Sequence, residues 1–354
     1  MSDIRPFLKS LISVSGLSGF EGPVASLIQA RWQPLVDELS FSRVGSVHAL
    51  KRGTSIVESR PSIMLAAHMD AIGMMVSQIV DGFLRITAIG GIDVRVLPGA
   101  LVTVHTDAGE ELTGVIVRPS RHLLPSVASK GVLQLKYLLV DTGLKESEVR
   151  RKVQVGNLVS FANSPLDLAG DVISGHSLDN RASVAALTVC LEALQSLSHH
   201  WDIWAVATVQ EELTYLGGYS SAFDLRPDIA IVIDGTFAKG PGASGWQTHA
   251  FGKGVGLCKG PNMHPFVHKS LRELADRLEI PWFLDMTVDH SGTDAYAIQT
   301  TAEGIPTALV EFPIRYMHSP VESVMVKDIE RAGRLLAEFI ASLEVNYLET
   351  LVWD

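Results

Sequence analysis

The sequence predicts an α/β protein: a mixed β-sheet with helices on both faces, into which a small β-rich module is inserted. Two observations lead to this prediction. First, apolar segments typical of strands buried on both faces alternate with helical segments. Second, this alternation stops between residues 74 and 163, where short strands separated by turn residues replace it.

The elements of the α/β part follow in order. Apolar faces predict two helices within the first 40 residues, and Pro23 suits a first helical turn. Near-continuous apolar runs predict buried strands at 62–70, 201–212, 228–236 and 306–314. Helical periodicity predicts further helices at 179–197, 266–279, 293–303 and 327–345.

The inserted module is predicted from its turns. Asp81-Gly82 lies between two apolar runs, which is a strong hairpin signal, and only one short helix, at about 145–153, interrupts the strands. The α/β pattern precedes this module and resumes after it. We therefore expect a discontinuous α/β domain (1–73 and 164–354) around an inserted β-rich domain (74–163).

Composition narrows the class of protein. The 354 residues suggest about two domains. The net charge of −10 disfavours nucleic acid as a partner, because binding phosphates needs a basic surface. Two cysteines exclude a disulfide scaffold. We see no signal peptide and no apolar run long enough to span a membrane. We therefore expect a cytoplasmic protein without a membrane partner.

Polar residues gather where predicted strands end or helices begin, the places at which open α/β sheets bind ligands. These residues are His68, Asp70, Asp179, Glu211, Glu212, Asp234 and His318. Two imidazoles with three carboxylates suit a pair of divalent first-row metals, zinc, cobalt or manganese. Three carboxylate ligands would leave one positive charge from two such ions to hold a hydroxide. If Glu211-Glu212 is extended, one carboxylate can bind metal while the other faces the water.

Each residue also has a purely structural alternative. Asp179 is a possible helix N-cap, Asp234 suits an Asx turn, and Glu211-Glu212 is a possible solvated surface pair. The histidines are possible core residues. These alternatives are weaker taken together, because all the positions lie at equivalent strand ends or helix starts.

Six short motifs, in this order, resemble the TET-type dinuclear-metal aminopeptidases, relatives of glutamyl aminopeptidase. They are HMDAIG (68–73), SLDNR (177–181), QEE (210–212), VID (232–234), SGTDA (291–295) and RYMHSPVE (315–322). The likeness covers nearly the whole chain and includes GLSGFEG (16–22) and GVIVRPSRHL (114–123).

The resemblance implies a ligand set for two Zn²⁺ or Co²⁺ ions, with Mn²⁺ as an alternative. His68 and Asp234 would bind one ion, Glu212 and His318 would bind the other, and Asp179 would bridge them. It also implies a zinc-peptidase-like catalytic domain. The inserted domain would mediate dimers, and these would assemble into tetrahedral dodecamers.

The resemblance implies roles for further residues. Glu211 would be the general base and Asp70 would orient the His68 imidazole. Asp294 and Arg315 lie beside motif residues and are candidates for substrate binding. His122, in the insert, is a third candidate.

The implied activity is removal of the N-terminal residue from peptides with a free N-terminus, with a metal-bridging water as nucleophile. The alternatives are a carboxypeptidase or deacylase on the same scaffold, a non-catalytic assembly or binding protein, and a glycoside hydrolase. Departures from the family pattern at Asn180, Tyr215 and Ser291 put the substrate preference in doubt more than the chemistry.

Overall fold

The computed structural model describes residues 3–56, 60–120, 133–162 and 164–353. Within them the chain forms one large mixed sheet, helices on both of its faces, and a separate closed barrel. This confirms the predicted fold class. In the same residues no helix is both long and apolar enough to cross a membrane.

The large sheet has eleven strands in the described residues, and its centre is parallel. In spatial order the main path is β1 (Glu38–Phe41), β2 (Val47–Lys51), β12 (Asp202–Thr208), β3 (Ser62–His68), β13 (Ile229–Phe237), β16 (Thr307–Arg315), β17 (Glu322–Met325), β11 (Val172–Gly175) and β10 (Leu166–Leu168). Strands β12, β3, β13 and β16 are parallel, whereas β2 and β17 run antiparallel to their neighbours. Beside this path, β14 (Val255–Lys259) pairs with β16 and with β15 (Trp282–Met286).

Helices cover the sheet because its central strands are apolar on both faces. The helices in the described residues are α1 (Arg5–Ser13), α2 (Gly22–Trp32), α3 (Glu146–Lys152), α4 (Leu178–Ala193), α5 (Glu211–Thr214), α6 (Leu216–Leu225), α7 (Pro265–Arg277), α8 (Asp294–Gln299) and α9 (Val326–Ala341). Of these, α3 packs on the barrel and not on the large sheet. Ile63 and Leu65 of β3 belong to the core beneath α4 and α9, while Met64 and Ala66 face the core beneath α6 and α8. This alternation is the two-residue period of a strand buried on both sides.

The barrel is antiparallel and closed. Its order is β4 (Gly73–Val80), β5 (Phe83–Ile89), β8 (Leu139–Asp141), β7 (Glu111–Val117), β6 (Leu101–His105) and β9 (Leu158–Phe161), and β9 pairs back with β4. Asp81 and Gly82 both have positive φ, as a two-residue hairpin turn requires.

The barrel encloses a hydrophobic core of its own. The buried members of that core all lie between Met74 and Phe161, and no residue of this segment belongs to the two cores of the large sheet. We propose on this basis that 74–163 is an inserted domain and that 1–73 and 164–354 form one discontinuous domain.

Candidate metal centre

The candidate site lies at the carboxyl ends of the central parallel strands. His68 is the last residue of β3, and Asp234 lies near the end of the neighbouring strand β13. His318 follows β16 in a turn where its own φ is +61°. Parallel strands end at one edge of a sheet, so these side chains meet although up to 250 residues of chain separate them.

Asp179 lies at the start of α4. Its backbone is not helical there, with φ −78° and ψ 103°. The buried Glu322 carboxylate accepts hydrogen bonds from the amides of both Asp179 (3.0 Å) and His318 (2.9 Å). Glu322 therefore holds two elements of the site in a fixed relation. Sequence analysis assigned it no role, although it is the last residue of the motif RYMHSPVE.

The two imidazoles lie on either side of the Asp179 carboxylate. Its Oδ1 is 3.3 Å from Nε2 of His68, and its Oδ2 is 3.5 Å from Nε2 of His318. Glu212 Oε2 is 3.4 Å from the same His318 nitrogen. One carboxylate therefore faces two nitrogen donors, one with each oxygen.

The sequence led us to expect Glu211 and Glu212 on an extended segment, and this prediction is wrong. Strand β12 ends at Thr208, Gln210 takes a positive φ of 53°, and the glutamates open the short helix α5. Successive helical residues point about 100° apart, so the two side chains still diverge. Glu211 Oε2 lies 3.8 Å from Nε2 of His68, and its Oε1 is buried without a hydrogen-bond partner in the described residues.

Asp70 connects His68 to the glutamate pair. Its carboxylate accepts hydrogen bonds from the amides of Glu211 (3.0 Å) and Glu212 (3.2 Å) and from the Ser18 hydroxyl (2.6 Å). Nδ1 of His68 lies 3.4 Å from its Oδ1. Burial opposes ionisation of Asp70, but His68 and these donors hold its pKa below the usual value. Asp70 thus contacts three residues of the candidate site, His68, Glu211 and Glu212.

Two groups of side chains in the described residues are close enough to hold a metal ion. One is His68, Glu211 and Asp234; the other is His68, Asp179 and Glu212; ligand atoms within each group lie within 4.8 Å of one another. The first group includes Glu211, the residue the sequence suggested as a base. We call these five residues together with His318 the ligand end of the cavity: His68, Asp179, Glu211, Glu212, Asp234 and His318.

The electrostatics of the ligand end are those of a site that needs cations. Burial and the neighbouring charges raise the pKa of Glu211 well above its usual value, and burial raises that of Glu212 to about 7. Hydrogen bonding to Asp179 is the main reason that the pKa of His318 rises to about 9. Carboxylates crowded and desolvated in this way are stabilised by divalent ions, so the donor set fits a metal.

The ligand end opens into a cavity of about 630 Å³, whose other lining residues include Tyr215, His290 and Glu311.

The three residues that the sequence suggested for substrate binding lie in different surroundings. Asp294 is buried next to the site and accepts a hydrogen bond from Thr208 (2.5 Å), and its other oxygen has no partner in the described residues. Arg315 instead donates to the carbonyl of Lys239 and stacks on Phe251. His122 lies outside the described residues.

Fold and site together define the class of this protein: an α/β chain whose strand ends bring histidines and carboxylates that could hold metal ions into one cavity. The family model for M42 glutamyl aminopeptidase matches residues 45–335. The chain belongs to this family. Because the family is one of aminopeptidases, the protein is an aminopeptidase, a hydrolase acting on peptide bonds. M42 peptidases are also metallopeptidases.

Individual relatives can be aligned with this protein along nearly its whole chain. A lysyl aminopeptidase of Pyrococcus furiosus is 32% identical over 342 residues, covering 95% of this chain and 96% of the relative. The TET aminopeptidase of the marine-sediment Thaumarchaeota archaeon SCGC AB-539-E09 superposes with a TM-score of 0.90 at 29% identity, covering 99% of both chains. TET1 peptidase of Pyrococcus horikoshii, described as assembling into a tetrahedron or a large octahedral shell, has a TM-score of 0.81 at 27% identity, covering 96% of this chain and all of that one.

Proposed function

We propose that the protein is a dinuclear-metal aminopeptidase that removes the N-terminal residue of peptides with Glu211 as general base. The observation that supports this most directly is the position of Asp179, whose two oxygens face the Nε2 atoms of His68 and His318 at 3.3 and 3.5 Å. A carboxylate placed in this way suits a bridge between two ions.

In this proposal each ion has three protein ligands. His68, Asp234 and Asp179 would hold one ion, and His318, Glu212 and Asp179 the other, with Zn²⁺, Co²⁺ or Mn²⁺ as the metals. When bound, the pair supplies Lewis acidity and lowers the pKa of a water to the neutral range.

The protein's own residues would then move the proton. Glu211 Oε1 is buried and has no hydrogen-bond partner in the described residues, so it is free to accept the proton of the attacking water. Burial raises the pKa of Glu211, which makes its ionised carboxylate a stronger base, and the protonated form can then return that proton to the leaving amine. Asp70 holds the Glu211 amide, so the base stays beside the reacting atoms.

Metal analysis together with a substrate panel tests the class of activity. We expect about two divalent ions per chain, cleavage of aminoacyl p-nitroanilides, and no cleavage of N-acyl amino acids or of peptides with a blocked N-terminus. Cleavage from the carboxyl terminus or of N-acyl substrates would replace the aminopeptidase with another amide hydrolase.

The variant Glu211→Gln separates a base from a ligand. As a base, Glu211 would be needed for turnover but not for metal binding, so we expect unchanged metal content and turnover lower by at least about 100-fold. Loss of one ion would instead make Glu211 a ligand, as its proximity to His68 and Asp234 also allows. Near-normal turnover would contradict both roles.

We further propose that the barrel mediates self-association into dimers and a tetrahedral dodecamer. The barrel segment carries exposed apolar side chains at Leu101, Val155 and Phe83, which a second chain would cover. Light scattering should give about 460 kDa for twelve chains of 38.3 kDa. A stable monomer would exclude this assembly, and twenty-four chains would indicate an octahedral one.

A further inference from the structure

The cavity continues beyond the ligand end to a second pair of carboxylates, Asp285 and Glu311, which we call the acidic end. Both residues line the cavity and both are more than nine-tenths buried. Neither belongs to the groups in the described residues that are close enough to hold a metal. Their charges are therefore in addition to those that two ions would neutralise.

The sheet register places Glu311 next to the metal ligands. Glu311 on β16 is the parallel partner of Asp234 on β13, so the two residues lie on neighbouring strands about 4.8 Å apart and share one face of the sheet. On the other side its partner is Gly256, where a Cβ atom would come within 3.1 Å of the Cβ of Glu311. Glu311 is thus one strand away from a candidate ligand.

The two carboxylates of the acidic end differ in their partners. Asp285 accepts hydrogen bonds from the Thr236 hydroxyl (2.6 Å) and the Met286 amide (2.8 Å), and His249 Nε2 lies 3.3 Å away. Glu311 Oε2 is buried and has no partner in the described residues. A buried oxygen without a donor is costly, and a charged donor would offset that cost most effectively.

The surroundings of Glu311 indicate which charge its ligand should carry. The side chain is buried beside two further carboxylates, Asp285 of the acidic end and Asp234 of the neighbouring strand. An acidic ligand would add a further like charge, and a neutral one would leave the carboxylates uncompensated. A cation would compensate them.

The cavity walls suit the apolar stem of a long side chain. Phe237, Trp246, Met286 and Val288 line the cavity, and each is exposed in this structure. Lysine and arginine bury their methylene groups along such surfaces while the charged head finds its partners elsewhere.

We propose that the acidic end is the subsite for the side chain of the substrate's N-terminal residue and that it selects a basic residue, lysine or arginine. Glu311 is the specificity-determining residue, since its Oε2 accepts a hydrogen bond from the cationic head, and Asp285 adds charge. The proposal rests on the proposed aminopeptidase function and deepens it. N-terminal glutamate is disfavoured, because its carboxylate would face two like charges.

The first test compares kcat/KM for the p-nitroanilides of lysine, arginine, leucine and glutamate. We expect lysine and arginine to exceed leucine by about 10- to 100-fold, the range for a hydrogen bond to a charged group, with glutamate lowest. Glu311→Gln should lower the lysine value by a similar factor and leave the leucine value within about threefold. Glu303→Gln, an exposed change of the same charge, is the matched control and should alter neither.

The second test measures binding without turnover. Calorimetry compares L-lysine with L-norleucine, which has the same stem without the ammonium group. Lysine should bind at least about tenfold more tightly, and Glu311→Gln should abolish the difference. If circular dichroism shows that Glu311→Gln is unfolded, Asp285→Asn replaces it, with a smaller loss expected.

The outcomes separate this proposal from the proposed function. Cleavage that favours leucine or glutamate would overturn the subsite alone, as would equal losses for lysine and leucine in Glu311→Gln. Failure to cleave any of the four substrates would overturn the aminopeptidase function and the subsite with it.

Discussion

At the ligand end of the cavity, Asp179 lies between two imidazoles, whereas at the acidic end Glu311 has no donor for its buried Oε2. Both regions are buried and rich in carboxylates. The difference lies in their neighbours. At the ligand end two imidazole nitrogens lie on either side of one carboxylate, which gives the mixed donor set that first-row metals prefer. The acidic end has a single imidazole, that of His249 beside Asp285, and in the described residues no donor reaches Oε2 of Glu311. Acidity alone therefore does not distinguish a metal site from a cation subsite.

The largest expected effect comes from removing the shared carboxylate of the ligand end. Asp179→Asn should weaken metal binding by more than about 100-fold, beyond the cost of losing a residue that merely supports a ligand. Asp285→Asn, the same change at the acidic end, should retain about two ions per chain. Metal content after dialysis measures both. Equal metal loss in the two variants would contradict the division of the cavity into two functions.

A smaller effect is expected from the residue that orients the ligands. Asp70→Asn replaces an acceptor of two amide hydrogen bonds and a contact to His68, and should weaken metal binding by about 10- to 100-fold. The control is Asp328→Asn, a buried carboxylate bonded to the Gly252 amide and Arg331 away from the site. Unchanged affinity in Asp70→Asn would show that backbone packing alone positions the glutamate pair.

The smallest effect concerns a buried imidazole without a carboxylate contact. His176 Nε2 donates a hydrogen bond to the Ile72 carbonyl at 3.0 Å, and burial, with Arg181 nearby, lowers the pKa of His176 to about 4. The unfolded chain, with a histidine pKa near 6.5, takes up this proton first, so stability falls as pH drops from 6.5 towards 4. Between pH 7 and pH 5 the loss should be about 2 kcal/mol.

His176→Gln measures this contribution. Urea unfolding of the metal-free forms at pH 7 and pH 5 should show a smaller loss for the variant than for the unchanged chain. A larger loss for the variant than for the unchanged chain would mean that His176 is protonated in the folded protein. That is the behaviour expected of His68 and His318, whose pKa values are raised.

Much of the fold was predictable because it depends on local patterns. The apolar runs that predicted strands at 62–70, 228–236 and 306–314 correspond to β3, β13 and β16, within two residues at each end. The Asp81-Gly82 turn was predictable because aspartate and glycine tolerate the positive φ angles of a two-residue hairpin turn, and both residues have them. The prediction of an extended segment was wrong at Glu211 and Glu212, where a new helix begins after the positive φ of Gln210. This helix has only four residues, which is too short for a helical period to show in the sequence.

The sequence identified the residues of the candidate metal centre, and their assignment as ligands stays a prediction; their mutual geometry could not be predicted. His68 and Asp234 were found because strand ends of a parallel sheet meet at one edge, a rule that needs no coordinates. Glu322 and Glu311 received no role. A lone glutamate in the apolar run PTALVEFPI was a signal that could have drawn attention to Glu311.

The sequence by itself determined the α/β class, the β-rich character of residues 74–163 and the identity of the candidate ligands, because strand and helix periods and turn residues are local properties of the chain. Only the tertiary structure decided which atoms meet. Asp179 lies between His68 and His318, and Glu311 lies beside Asp234 without a donor, because sheet register and burial bring together residues that are far apart in the sequence. Distance and desolvation, which set the charge and role of each carboxylate, exist only in the folded chain.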